Sequence, residues 1–165
     1  MKKYTLLLLF VFTTLFSCTN EETTTYYLIR HAEKVRTDAT NRNPNLNDAG
    51  KERAANWGTY FKNINLDAIY STKYNRTIQT ATPTAKQKKL PIQHYDPRKM
   101  YTEEFAAATK GKTILIVGHS NTTPVFANKI LGEAKYKNMN DDDNASLYIV
   151  TVVGSKKKSR IEILE

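Results

Sequence analysis

The sequence is poor in the residues that build disulfides and metal sites. Its 165 residues include one cysteine and three histidines. One cysteine cannot form a disulfide within the chain. Three histidines, with no cysteine cluster and no carboxylate–histidine spacing, make a poor zinc site, so we expect no metal and no other cofactor. The length suits one compact domain with a sizeable core and is too short for two domains.

Acidic residues are also in deficit. The chain has 16 Asp and Glu against 25 Lys and Arg, which gives a formal net charge of +9. Such an excess can indicate nucleic acid, an anionic membrane surface or acidic small substrates as partners. The basic patches, such as Lys86, Lys88 and Lys89 and the run Lys156–Lys158, lack the interleaved aromatic residues on which bases stack. We therefore expect solvated surface lysines and no nucleic-acid partner.

The one long hydrophobic run lies at the N-terminus. Lys2 and Lys3 precede the apolar stretch Leu6–Phe16, which is too short to span a bilayer comfortably. The only cysteine, Cys18, follows a small residue at the end of this stretch. The arrangement resembles the lipobox of bacterial lipoproteins, which implies cleavage before Cys18 and acylation of its thiol. An ordinary signal peptide with an incidental cysteine, or an uncleaved anchor, is the alternative.

The lipobox resemblance divides the chain into three parts. Residues 1–17 are expected to be a lipoprotein signal peptide, residues 18–25 a polar tether and residues 26–165 the folded domain. The location that this implies is extracytoplasmic. The protein would be anchored to a bacterial membrane by its lipid and would face the periplasm or the cell surface.

Strand-like and helix-like segments alternate along the rest of the chain. Short apolar and β-branched runs predict strands, and longer segments with apolar residues at helical spacing predict helices. The predicted strands are Tyr26–Ile29, Leu66–Tyr70, Ile92–Tyr95, Thr113–Val117, Ser146–Val153 and Arg160–Leu164. The predicted helices begin near Asn47, Tyr74, Glu103 and Pro124, and Pro83 is expected to interrupt or kink the second. This alternation favours an α/β fold, a three-layer sandwich whose central, mostly parallel sheet is flanked by helices.

Two of the three histidines occupy equivalent places in this pattern. His31 follows the strand Tyr26–Ile29 after Arg30, and His119 follows the strand Thr113–Val117 after Gly118. The carboxyl ends of strands in an open α/β sheet are where ligands gather. A single histidine so placed is more often a packed structural residue, but two such placements favour a functional site.

Four segments around these histidines carry a family resemblance. Leu28–Glu33 resembles the Arg-His-Gly signature of the histidine phosphatase superfamily, which includes the cofactor-dependent phosphoglycerate mutases. Leu46–Gly50 is similar to that family's Leu-Thr-x-x-Gly element, and Ser71–Ala81 is similar to its Ser-x-x-x-x-Arg-x-x-Gln-Thr-Ala element. Val117–Asn121 is similar to its second-histidine motif. The four segments occur in the family's order and span most of the mature chain.

The resemblance implies a role for each matching residue. Neutral His31 attacks phosphorus and gives a covalent phosphohistidine, which splits hydrolysis into two easier steps. Arg30 and Arg76 supply planar, permanently charged groups that suit phosphate oxygens. His119 binds the phosphoryl oxygens and stabilises the group in transfer. Ser120 is expected to donate to phosphate or to cap the helix that follows.

The proton donor for the leaving group is less well defined by the sequence. The interval between Arg76 and His119 offers Asp96, Glu103 and Glu104, and we prefer Glu103, then Glu104. The alternative is that both glutamates are exposed charges in the first turn of a helix, where carboxylates are favourable in any case. The run Asp141–Asp143 does not match the spacing of a calcium loop and is expected to be a solvated turn.

Two departures from the family pattern refine the expectation. Ala32 stands where the family usually has glycine, which is tolerable only if the backbone avoids a positive φ. The short interval from Arg76 to His119 leaves little room for a capping insertion, as in the small, cap-less phosphohistidine phosphatases. We therefore expect a metal-independent phosphatase acting on small phosphate monoesters or phosphoproteins. The alternative is a non-catalytic phosphate- or phosphosugar-binding lipoprotein on the same fold.

Overall fold

The structure is a computed structural model that describes residues 21–164. The predicted signal peptide and the lipidation site at Cys18 lie outside the described residues. Within residues 21–164, no helix is both long and apolar enough to cross a membrane. The folded domain begins earlier than residue 26, because Thr23–Thr25, predicted as part of the tether, pair with neighbouring strands.

One six-stranded sheet forms the centre of the domain. Its strands are β1 (Thr23–Arg30), β2 (Ala68–Ser71), β3 (Ile92–His94), β4 (Thr113–Gly118), β5 (Ser146–Val153) and β6 (Lys156–Ile163). They lie in the order β3-β2-β4-β1-β5-β6. The strands β3, β2, β4 and β1 are mutually parallel, and β5 and β6 add an antiparallel hairpin at one side. The mostly parallel sheet expected from the alternating pattern is confirmed.

Four helices connect the strands. They are α1 (Asp48–Phe61), α2 (Asn75–Lys88), α3 (Glu103–Thr109) and α4 (Thr122–Leu131). The side chain of Asn47 caps α1 by accepting a hydrogen bond from the amide of Gly50. Gly132 ends α4 in the left-handed conformation that glycine adopts without strain. Pro83 lies inside α2 and does not end it, so the helix continues past the predicted interruption.

The helices cover both faces of the sheet and bury two separate cores. On one face, Trp57 and Phe61 of α1 and Ala81 of α2 pack against strand residues such as Leu115. On the other face, the buried and partly buried apolar side chains are Phe105 of α3, Phe126 and Ile130 of α4, and Tyr26, Ile114 and Ile116 of the strands. Central strands of this kind have apolar residues on both faces, which is why Thr113–Val117 reads as a continuous apolar run. The three-layer sandwich is confirmed.

The register of the two central strands determines where the candidate site forms. Arg30 at the end of β1 is paired with Gly118 at the end of β4. His31 and His119 therefore leave the sheet side by side, and the amide of His31 donates to the carbonyl of Gly118 at 2.9 Å. The two histidines that hold equivalent positions in the sequence pattern are therefore neighbours in the folded protein.

Candidate active site

The two histidines face one another in a cleft at the carboxyl edge of the sheet. Their ring centroids are 5.4 Å apart, and the ring planes are inclined by 68°. The cleft has a volume of about 360 Å³. Its lining residues are Arg30, His31, Lys34, Tyr74, Arg76, Pro97, His119, Ser120, Asn121 and Asp141. The structure thus brings together Arg30, His31, Arg76, His119 and Ser120, which were predicted from three separate segments.

His31 presents an unprotonated ring nitrogen. Its Nδ1 lies 2.8 Å from the carbonyl oxygen of Ala32. A carbonyl can only accept, so Nδ1 carries the proton and donates, which leaves the lone pair on Nε2. Burial lowers the pKa of His31 to about 3, with smaller contributions from the charges of Arg76 and Arg30. The ring is therefore neutral near pH 7, which is the form a nucleophile needs.

The chain around His31 is held by contacts from three other segments. The side-chain amide of Asn144 donates to the carbonyl of His31 at 2.8 Å. The hydroxyl of Thr80 on α2 accepts from the amide of Ala32 at 2.9 Å. A Cβ on Gly50 would collide with the carbonyl oxygen of Glu33, so glycine is needed at the start of α1 for this close approach. Three of the resembling motifs therefore meet around one turn of chain.

Ala32 fits the position that is usually glycine in the resembling family. Among the described residues, the non-glycine positions with positive φ are Lys89 and Tyr101, so the backbone of Ala32 is unstrained. Its side chain is fully buried and packs with Leu46 and Ala54. The condition set by the sequence for tolerating alanine at this place is met.

His119 is held in the opposite tautomer. Its Nδ1 lies 3.4 Å from Nη2 of Arg76, which can only donate, so Nδ1 accepts and Nε2 carries the proton. The Nε2–H donates to the hydroxyl of Thr72 at 2.9 Å, which donates in turn to the hydroxyl of Thr77 at 3.0 Å. The Thr77 hydroxyl ends this chain on the backbone carbonyls of Thr72 and Tyr74. Burial, with added repulsion from Arg76 and Arg30, lowers the pKa of His119 to about 4.

Two arginines flank the histidines with donors that have no partner. The Nε atoms of Arg30 and Arg76 are both buried and make no hydrogen bond among the described residues. The guanidinium of Arg76 lies over the ring of Tyr74, with its central carbon 4.5 Å from the ring centroid. The Tyr74 ring also contacts His119 edge-on, at 5.2 Å between centroids. Buried donors of this kind are costly unless an acceptor reaches them, and phosphoryl oxygens supply such acceptors.

Lys34 and Asp141 also line the cleft, and neither was identified from the sequence as a site residue. Asp141 was expected to belong to a solvated turn, and its side chain is 75% exposed, but its carboxylate also pairs with two arginines. Its carboxylate lies 3.0 Å from Nη2 of Arg30 and 2.8 Å from Nη1 of Arg36. No short sequence pattern indicates this contact, which arises because the loop holding Asp141 precedes β5 and β5 pairs with β1.

The preferred proton donor, Glu103, is not brought into the cleft. Glu103 and Glu104 are exposed in the first turn of α3, where the Thr102 side chain caps the helix, and neither lines the cleft. The alternative weighed for them, exposed carboxylates favoured by the helix dipole, accounts for their position. Asp96 lines a neighbouring recess, and hydrogen bonding to Arg98 lowers its pKa to about 2. Among the cleft residues, the one carboxyl group is that of Asp141.

Ser120 and Asn121 line the cleft at the start of α4. The side chain of Asn121, the residue that precedes the helix, makes no capping hydrogen bond. The hydroxyl of Thr122 accepts instead from the amide of His119 at 2.9 Å. Within residues 21–164, no group of three His, Cys, Asp or Glu side chains is arranged to hold a metal ion.

Comparison with known proteins points to one family. The model of the histidine phosphatase superfamily (branch 1) matches residues 26–97. This range includes Arg30, His31 and Arg76 and ends before His119. No curated protein sequence matches the chain.

Solved structures share the fold across most of the chain. The phosphoglycerate mutase of Bacillus anthracis str. Sterne is 17% identical with a TM-score of 0.63, covering 88% of this chain and 94% of the mutase. A protein of Agrobacterium tumefaciens assigned as the phosphohistidine phosphatase SixA is 20% identical with a TM-score of 0.63, covering 86% of this chain and 98% of its own. A mycobacterial glucosyl-3-phosphoglycerate phosphatase is 10% identical with a TM-score of 0.62, covering 86% and 98% respectively. At these identities the likeness concerns the fold.

Proposed function

We propose that the chain is a histidine phosphatase and that it hydrolyses phosphate monoesters or phosphohistidine through a covalent phosphohistidine on His31; the family model that residues 26–97 match and the fold support this. The observation that carries this proposal is the free Nε2 of His31. This atom belongs to a neutral ring that shares one cleft with a second histidine and two arginines. The substrate class is a small phosphorylated molecule or a phosphoprotein, and the reaction needs no metal.

The cleft has the charges that a phosphoryl group requires. Arg30 and Arg76 offer buried Nε–H donors, and Lys34 adds a third cation at the rim. A phosphoryl group spreads its charge over its equatorial oxygens in the transition state, so fixed cations are worth more there than a strong base. Ser120, next to His119 in the chain, also lines the cleft and carries a hydroxyl that can donate to a phosphoryl oxygen.

The reaction proceeds in two displacements. In the first, the lone pair of His31 Nε2 forms a bond to phosphorus while the bond from phosphorus to the leaving atom breaks, and the leaving group takes that electron pair. In the second, water attacks the phosphohistidine, the bond from phosphorus to Nε2 breaks, and inorganic phosphate leaves with His31 restored. The Nδ1–H bond to the Ala32 carbonyl keeps Nε2 directed at phosphorus in both steps.

The described cleft holds no carboxyl group that is free to protonate the leaving group, and this limits which leaving groups can depart rapidly. Glu103 and Glu104 do not line the cleft, and Asp141 is engaged by two arginines. An alkoxide departs slowly without a proton, whereas a phenolate or the imidazole of phosphohistidine departs readily. We therefore expect faster turnover of aryl phosphates and phosphohistidine than of alkyl phosphates.

The absence of a free carboxyl group from the described cleft also supports a second candidate function, a non-catalytic phosphate- or phosphosugar-binding protein. Such a protein needs the two arginines but no leaving-group acid. It predicts that inorganic phosphate binds and that neither aryl nor alkyl phosphates are turned over. The first proposal predicts turnover of the aryl substrate at least.

We also propose that the mature protein is a lipoprotein anchored through Cys18 outside the cytoplasm. The support is the sequence alone: a basic start, an apolar stretch and a lone cysteine after a small residue. Labelling growing cells with a clickable fatty acid should tag the wild type and not the Cys18→Ser variant. Tagging of both would rule out lipidation at this residue.

The catalytic proposal can be tested directly by trapping the phosphohistidine intermediate. The purified chain is mixed with a labelled aryl phosphate, quenched in base and digested, and the labelled peptide is sequenced. We expect acid-labile, base-stable phosphate on His31, and no label in the His31→Gln variant. Full turnover by His31→Gln, with or without added chelator, would reject the mechanism.

A further inference from the structure

One loop before β5 engages both Arg30 and the carbonyl of His31. The carbonyl oxygens of Asn140, Asp141 and Asp143 all accept from Nη1 of Arg30, at 2.9 to 3.1 Å. The side chain of Asn144 reaches the carbonyl of His31 at 2.8 Å. Arg30 is 2% exposed, so these contacts hold a buried cation. We call residues 140–144 the acidic loop.

The carboxylate of Asp141 adds a charge that the anchoring of Arg30 does not need. Its Oδ1 accepts from Nη2 of Arg30 at 3.0 Å, while its Oδ2 pairs with Arg36 at 2.8 Å. The backbone carbonyls of the acidic loop already take both N–H groups of Nη1. What remains of the guanidinium for a phosphoryl group is Nε–H and one N–H of Nη2. Asp141 and a bound phosphoryl group therefore share a single cation.

Sharing a cation has a definite electrostatic consequence. Two anions on one guanidinium lie within the range at which like charges repel appreciably. Asp141 is ionised near pH 7, because hydrogen bonding to Arg36 lowers its pKa further below its ordinary value. The carboxylate therefore reduces the net positive potential that the cleft offers to phosphate.

We infer that Asp141 weakens the binding of phosphate in the cleft by competing with it for Arg30, so that the product leaves more readily. The inference rests on the proposed function in that the competing anion is the phosphoryl group of the substrate or product. Because tight binding of the product slows release, a carboxylate that offsets one positive charge favours turnover over retention. Removing the charge of Asp141 should tighten phosphate binding, which is the opposite of what removing an ordinary binding residue does.

The experiment measures the dissociation constant of inorganic phosphate by calorimetry and its inhibition constant against an aryl phosphate. Asp141→Asn keeps an oxygen acceptor for Arg30 and removes the charge. Asp142→Asn is the matched control, since it makes the same change in net charge one residue away and lines only the neighbouring larger cleft. We expect Asp141→Asn to bind phosphate roughly three- to tenfold more tightly at low salt, less at high salt, and Asp142→Asn to change by less than twofold.

Each outcome decides the inference. Unchanged or weaker phosphate binding by Asp141→Asn overturns it, and weaker binding would make the carboxylate a support for Arg30. Loss of alkyl phosphate turnover with unchanged phosphate affinity also overturns it and makes Asp141 the proton donor. Asp141→Ala, which lacks the acceptor, should tighten binding as well if charge is the cause. Because phosphate binding is measured without turnover, a failure of the catalytic proposal leaves this result readable by itself.

Discussion

His31 and His119 occupy the same kind of position and are prepared for different tasks. Each follows a parallel strand at the same edge of the sheet, and burial lowers the pKa of both rings, to about 3 and about 4. Their hydrogen bonds are opposite. His31 donates from Nδ1 to a carbonyl and keeps Nε2 free, whereas His119 accepts at Nδ1 from Arg76 and donates from Nε2 to Thr72.

The difference shows that the partner of each ring, and not its place in the sheet, assigns its role. A ring with a free lone pair facing the cleft can attack phosphorus. A ring with both nitrogens engaged by protein can orient and stabilise but has no lone pair to offer without breaking a bond. Substituting each histidine and the hydrogen-bond partner of His119 separately tests whether the two rings have different roles.

The largest effect is expected from His31→Gln. Loss of the only free imidazole nitrogen in the pair should reduce turnover of an aryl phosphate by about a thousandfold or more, since the covalent step disappears. A labelled substrate should leave no phosphate on the variant. Labelling of His119 in this variant would show that the two rings are interchangeable and would break the comparison.

A smaller effect is expected from His119→Gln. This variant keeps the nucleophile and loses a stabilising group, so turnover should fall by about a hundredfold. Label should still accumulate on His31, more slowly than in the wild type. Rapid-quench measurement of the labelling rate checks this, and a complete absence of label would mean that His119 carries the phosphate.

The two rings should also make the protein sensitive to acid. Their pKa values are lower in the folded chain than in the unfolded chain, so the unfolded state binds more protons as pH falls below about 6.5. Stability is then lost as pH falls, by roughly 1 kcal/mol per histidine between pH 6 and pH 5. Urea unfolding at each pH measures this, and the double variant His31→Gln/His119→Gln should show a flatter dependence. An equal slope in both proteins would mean that other groups dominate.

A modest effect is expected from Thr72→Val, which removes the acceptor of the His119 Nε2–H bond without changing side-chain shape. We expect kcat to fall by about five- to tenfold, with KM changed by less than twofold, because His119 loses its fixed orientation. Thr84→Val is the matched control, since Thr84 is buried on α2 and its hydroxyl has no partner among the described residues. Equal losses in both variants would attribute the effect to packing.

The smallest effect is expected from Glu103→Gln. The side chain is exposed on α3 and lies outside the cleft lining, so turnover of aryl and alkyl phosphates should change by less than twofold. Glu104→Gln serves as its neighbour control. A tenfold loss confined to alkyl phosphates would show that α3 reaches the leaving group during catalysis and would restore Glu103 as the proton donor.

Much of the fold and the two arginines and two histidines of the candidate site could be predicted from the sequence. The strand before each histidine is apolar on both faces, a pattern typical of central strands in a sheet that is covered on both sides. Arg30, His31, Arg76 and His119 sit in short segments whose order and composition resemble one family. Such segments can be recognised without knowledge of the fold, because each is defined by residues that are close together along the chain.

The carboxyl group that lines the cleft could not be predicted in the same way. Glu103 was preferred for its position shortly before β4, yet α3 holds it in solvent. Asp141 reaches the cleft because the acidic loop follows Met139, whose amide is bonded to the carbonyl of Ser120, and precedes β5, which pairs with β1. No short-range pattern reports a contact between residues 30 and 141.

The sequence by itself determined the alternation of elements, the two histidine-bearing strand ends and the pair of arginines, since each depends on residue type and spacing within one segment. Only the tertiary structure decided which nitrogen of each histidine carries the proton, that Ala32 is unstrained, and that the carboxylate of Asp141 pairs with Arg30. These properties arise from hydrogen bonds and charges between segments far apart in the chain. Their energies depend on distance in space, which strand register and helix packing set.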